Sequence, residues 1–141
     1  MGRILAIDYG HVRVGIAVTD PFQIIANGLT TVAAEEIFVF LDTYLKKEDV
    51  DCIVVGLPKQ LDNNDAESMK YVKPFVKKLK SKYPDKKLEL IDERFTSKMA
   101  FQAMIDGGLK KKARRNKALI DTVSATIILQ SYMEQQKHIK F

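Results

Sequence analysis

Residues 3–20, RILAIDYGHVRVGIAVTD, set how this chain begins to fold. Residues 3–8 and 14–19 are rich in aliphatic side chains and read as two strands, joined by a tight turn at Tyr9-Gly10-His11. Within the first run stands a carboxylate, Asp8, directly after Ala6 and Ile7. An acid in that setting is costly to bury unless something pairs with it or binds it. Its partner must come from elsewhere in the chain or from solution.

The rest of the sequence alternates strand and helix signals. FQIIANGLTTV reads as a third strand, antiparallel to the second, with Asn27-Gly28 as a bulge or turn. From Ala34 to Lys47, Ile37, Leu41, Tyr44 and Leu45 fall on one helical face. CIVVGLP is a short apolar run ended by Gly56 and Pro58, the pattern of a buried strand entering a loop. The polar KQLDNNDAES follows, with Asn64 or Asp65 as cap for a helix bearing Met69, Val72, Val76, Leu79 and Tyr83 at helical spacing. Pro74 is expected to kink or divide that helix, at a cost of about 3 kcal/mol. LELIDERF is a further strand. Thr96 or Ser97 caps a helix that Gly107-Gly108 stops, and a last helix begins near Lys117. With no internal repeat and no linker, residues 1–141 are expected to form one domain around one core. An initial meander followed by alternating strands and helices predicts an α/β fold, a mixed β-sheet flanked by helices on both faces; the ribonuclease H-like arrangement is one such fold.

Composition narrows the function classes. Hydrophobic residues make up 46% and charged residues 29%, as in a globular protein. No apolar run approaches the roughly 20 residues that span a bilayer, and no signal-peptide pattern is read after Met1, so a cytoplasmic location is expected. The single cysteine, Cys52, excludes an internal disulfide and a multi-cysteine zinc site; its place in CIVVGLP predicts a packed core position. The net charge is +5, and LKKKARRNK alone holds Lys110, Lys111, Lys112, Arg114, Arg115 and Lys117. Without those six, 17 basic residues face 18 acids, so this segment accounts for the whole excess. A second lysine-rich stretch, Lys70 to Lys82, reads as a solvated helix face, although either could meet a polyanion.

Three acids stand where acids are unexpected: Asp8 at the first strand, Asp92 or Glu93 at the end of the late strand, and Asp121 within KALIDTVSATIILQSYM. On a helix, Asp121 shares its face with Ala118, Ala125, Ile128 and Tyr132, which directs it towards the sheet. A simple ion pair with Arg94 or Lys117, or a place in the first helical turn, is the plainer explanation for that residue alone. Together the acids predict a shared charged site. Carboxylates in one pocket repel unless one is protonated or a cation neutralises them. Oxygen ligands suit Mg²⁺ or Mn²⁺, while His11 and His138 read as ordinary surface histidines. An acidic metal pocket beside a basic patch implies a phosphate ester in a long polyanion. Two ions about 3.5–4 Å apart would then serve an in-line displacement that needs no protein nucleophile.

With those residues in hand, the chain resembles the YqgF (RuvX) family, described as Holliday junction resolvases and as nucleases that mature the ends of pre-16S rRNA. DYGHVRVGIAVTD, IVVGLPKQLD, DERFTS and DTVSATIILQSYM carry the resemblance over nearly the whole chain. It implies a ribonuclease H-like fold and a divalent-metal nuclease, with the acids at Asp8, Glu93 and Asp121. The residues alone leave Asp92 as a rival; the resemblance favours Glu93. Two departures stand out. Lys59-Gln60-Leu61-Asp62-Asn63 replaces the usual LNMDG-like loop, and Val12 precedes Arg13 where lysine is common.

Arg13 and Arg94 are the candidates for phosphate contacts near the metal, since guanidinium groups bind phosphate in a bidentate manner. Arg94 serves equally well as a brace for Asp92 or Asp121. Lys111, Arg114 and Arg115 are placed at more remote phosphates, positioning nucleic acid without reading sequence. The expected substrate is structured RNA, with branched DNA as the alternative. A resolvase predicts a homodimer with two sites on one face, but monomer and dimer stay open. A non-catalytic binding module and an actin-like nucleotide-binding protein are the rival classes. Intact acids argue against the first, and the lack of a second phosphate-binding DxG block argues against the second.

Overall fold

The computed structural model describes residues 2–57, 69–92 and 117–139. The predicted caps at 64–65, the helix of 96–106 and the basic segment 109–116 fall outside the described residues.

Five strands form one mixed sheet in the order β3-β2-β1-β4-β5. Strand β1 (Arg3–Tyr9) pairs antiparallel with β2 (Arg13–Thr19), and β2 pairs antiparallel with β3 (Ala26–Ala33). The register of β2 with β3 shifts between Ile16 and Ala17, whose partners are Thr30 and Gly28. That irregularity lies beside the expected Asn27-Gly28 bulge. Strand β4 (Val50–Leu57) joins β1 in parallel, and β5 (Lys87–Asp92) joins β4 in parallel. Helix α1 (Ile37–Lys47), preceded by a 3₁₀ turn at Ala34–Glu36, connects β3 to β4. Helix α2 (Met69–Lys82) precedes β5, and α3 (Lys117–Ile139) follows it in the chain.

The strand period of two divides the core into two layers. Leu5, Ile7, Val14, Ile16, Val18, Ile53 and Val55 pack with Ile37 and Leu41 of α1 and with Val72, Phe75, Val76 and Leu79 of α2. Their sheet neighbours Ile4, Ala6, Ala17, Cys52, Val54 and Ile91 pack on the other face with Ala125, Ile128, Leu129 and Tyr132 of α3. Helices therefore cover both faces, and Cys52 is core, as expected.

Two local expectations are corrected. The third strand does not start at Phe22. The Asp20 carboxylate accepts the backbone N–H groups of Phe22, Ile24 and Ile25 at 3.0, 2.7 and 2.7 Å, and Gln23 adopts φ 59°. This local side-chain capture of the backbone replaces ladder pairing until Ala26. Nor does Pro74 divide α2, which runs unbroken from Met69 to Lys82. Pro74 lies one turn beyond the helix start, so the carbonyl that loses its donor belongs to Lys70, and both residues are exposed to water.

Candidate active site

Asp8 sits at the C-terminal end of β1, where alternation after Ile4 and Ala6 gives it to the α3 face. Its partner across the ladder is Gly15. A Cβ at Gly15 would run into the backbone carbonyl of Asp121 and stand 3.1 Å from the Asp121 Cβ. Helix α3 thus crosses the sheet in direct backbone contact with β2. Same-face cross-strand neighbours hold their Cβ atoms about 5 Å apart. The carbons that bear the Asp8 and Asp121 carboxyl groups are therefore within about 9 Å of each other. A second close approach fixes the crossing further along: a Cβ at Gly28 would stand 2.5 Å from Thr122 Cγ2, and the Thr31 and Thr122 hydroxyls are 2.6 Å apart.

Arg13 shares the α3 face and donates from Nε to Asp121 Oδ2 at 2.8 Å. That bond uses Nε of the guanidinium group. The side chains are 39% and 23% exposed, so the pair itself is worth no more than about 1 kcal/mol. Asp121 is thus engaged by Arg13; the side chains of Arg94 and Lys117, the partners expected from the sequence, lie outside the described residues. Tyr9 turns to the opposite face and stacks on Phe75, centroids 4.1 Å apart, which gives it a packing role.

Two of the three expected acids are thereby brought together. Glu93, Arg94, Lys111, Arg114 and Arg115 lie outside the described residues. Among the described residues no group of three or more His, Cys, Asp or Glu side chains is placed to hold a metal ion. The two acids that β1 and α3 bring near each other, Asp8 and Asp121, carry oxygen ligands of the hard character that Mg²⁺ or Mn²⁺ requires. Sequence reasoning overlooked Gly15, the residue that admits α3. A glycine inside an apolar strand signals close backbone approach and was the available clue.

The other polar feature lies at the opposite end of the sheet. Ile4, Asp51, Cys52, Lys87, Tyr132 and Gln136 help to line a cavity of about 290 Å³. Cys52 there donates to Tyr132 Oη at 3.8 Å, and burial pushes its thiol pKa up. It is a poor nucleophile and remote from Asp8.

The comparisons agree with this architecture. A protein from Phocaeicola vulgatus with the provisional name pre-16S rRNA nuclease is 59% identical over 139 residues, covering 99% of this chain and all of that one. A Flavobacterium psychrophilum protein of the same name is 55% identical, covering 96% and 99%. Two solved structures share the fold at low identity. The Fowlpox virus resolvase in complex with Holliday junction DNA matches with TM-score 0.60 and 13% identity, covering 95% of this chain and 98% of that one. T. thermophilus RuvC in complex with a Holliday junction substrate matches with TM-score 0.57 and 15% identity, covering 95% and 97%. The sheet order and the helices on both faces are those of a ribonuclease H-like α/β fold. The family model described as RuvX, Holliday junction resolvase, matches residues 2–135, and the chain belongs to that family.

Proposed function

We propose that the protein is a divalent-metal-dependent nuclease that hydrolyses phosphodiester bonds in the 5′-end maturation of pre-16S rRNA. The convergence of Asp8 and Asp121 around Gly15, with Arg13 bonded to Asp121, carries this reading. The names of its full-length relatives favour the RNA substrate. The family pattern supports Glu93 over Asp92 as the third carboxylate.

A bound Mg²⁺ or Mn²⁺ would supply Lewis acidity, an activated water and stabilisation of the leaving oxygen. Asp8, Asp121 and Glu93 would hold it. Arg13, tethered through Nε, would offer its Nη donors to a phosphate oxygen and so orient the scissile group. Arg94 is assigned to the same phosphate, and Lys111, Arg114 and Arg115 to backbone phosphates further out.

The family description favours a second reading, the same chemistry on branched DNA by a homodimer. One assay separates the two. A precursor 16S rRNA fragment and a synthetic four-way DNA junction are incubated with the protein and Mg²⁺ or Mn²⁺, with a chelator control. RNA cutting that the chelator abolishes is expected. Junction cutting alone would transfer the assignment to DNA resolution, and tight binding without any cutting would leave a binding module.

A further inference from the structure

The turn from Tyr9 to Val12 caps the sheet at the Asp8 end and joins its two sides. On the α3 side Arg13 bonds Asp121. On the α2 side His11 lies over Tyr71, with centroids 4.1 Å apart and rings inclined by 30°. Both residues are exposed. Just beneath them Tyr9 stacks on Phe75, and Phe75 leans on Phe38 at 5.5 Å, so this aromatic shelf rests on the core.

Helix α2 leads away from the shelf with six lysines and no acid. Lys78 lies 4.6 Å over the Phe38 ring, and Lys82 pairs with Asp42 at 3.3 Å. Lys70, Lys73 and Lys77 recur at i, i+3 and i+7, which places them in one exposed stripe beginning beside Tyr71. A solvated lysine face needs no exposed pair of contacting rings at its head. Exposed aromatic rings followed by regularly spaced cations are the two components of a single-strand binding surface, one for a base and the other for phosphates.

We propose that His11, Tyr71 and the Lys70–Lys73–Lys77 stripe bind the single-stranded flank of the nucleic acid whose phosphodiester lies at Asp8 and Asp121. A base stacks on the shelf, and the strand continues over the rim of the sheet along α2. The proposal rests on the nuclease reading and adds a second contact surface to it. Charge complementarity and continuity with the carboxylate site select a nucleic-acid strand as the occupant.

Full-length protein in chelator, where no cutting occurs, is titrated against a fluorescently labelled RNA hairpin with and without a single-stranded tail, over a salt series. Tyr71→Ala is expected to weaken binding to the tailed RNA about tenfold, to leave the blunt hairpin unaffected, and to be rescued by Tyr71→Phe. Lys70→Gln/Lys73→Gln/Lys77→Gln is expected to flatten the log–log salt slope by about 2. A charge-matched control, Lys46→Gln/Lys47→Gln/Lys86→Gln, lies at the far end of the sheet and should keep the wild-type slope. Tailed-RNA binding unchanged in Tyr71→Ala, or a triple variant indistinguishable from its control, overturns the surface. So does competition by polyglutamate as effective as that by RNA of equal charge. Wild type that binds neither RNA nor DNA overturns the nuclease reading as well, whereas wild type that binds and cuts while the variants match it overturns the surface alone.

Discussion

Asp121 meets Arg13 across 108 positions of sequence, and that pairing defines the site at the residue scale. Asp8 and Asp121 were legible because each interrupts an apolar pattern whose period fixes the direction it faces. The partner of Asp121 was not legible, because several cations compete for an acid until the crossing of α3 over β2 selects one. That crossing depends on Gly15. Gly15→Ala is predicted to cost about 1–3 kcal/mol, since the added methyl meets the Asp121 carbonyl and must push the helix away. Urea unfolding measures it, and a loss below about 0.5 kcal/mol contradicts the close crossing. Asp121→Asn is predicted to leave stability within about 1 kcal/mol of wild type, because the ion pair is partly exposed. The same variant should require more Mg²⁺ or Mn²⁺ for cleavage; an unchanged metal titration would restrict Asp121 to holding Arg13.

At the scale of elements, periodicity located β1, β2, α1, β4, α2, β5 and α3, and it failed where a side chain outbid it. The run Phe22–Ile25 has strand composition, but Asp20 captures its backbone donors. The N–H of Ile25, followed by those of Ile24 and Phe22, holds the Asp20 carboxyl below its usual 3.8. A carboxylate with a depressed folded pKa contributes its stability above the unfolded value and loses it as pH falls through the folded one. The loop is therefore predicted to keep its structure through pH 3.8 and to open only in stronger acid. The amide resonances of Ile24 and Ile25, followed against pH, should titrate with a midpoint below 3.8; a midpoint at or above that value contradicts the account. Pro74 shows the reverse case. The helix runs through a breaker signal where both Pro74 and Lys70, the residue whose carbonyl loses its donor, are exposed.

At the scale of the whole molecule, the mixed sheet followed from element order, since a meander and then two parallel strands need helical crossovers, here α1 and α2 on one face, and leave the other face to the last helix. Which acids share a pocket was less legible, because it depends on which strand ends adjoin and on where a single helix crosses them. The distribution of charge yields a prediction at this scale. Neutralising Lys111, Arg114 and Arg115 together should weaken nucleic-acid binding and flatten its salt slope by about 2. An unchanged slope would leave the α2 stripe as the surface that carries the phosphates. Among the described residues no helix is long and apolar enough to cross a membrane. The central claim is that Asp8 belongs to a metal-dependent hydrolytic site. The most direct measurement compares Mn²⁺-dependent cleavage of precursor 16S rRNA by wild type and Asp8→Asn, with the fold of both checked by circular dichroism. The account predicts a folded variant whose cleavage falls by more than the roughly 10- to 100-fold typical of residues that only support metal ligands. A folded Asp8→Asn protein that cuts at the wild-type rate would contradict it.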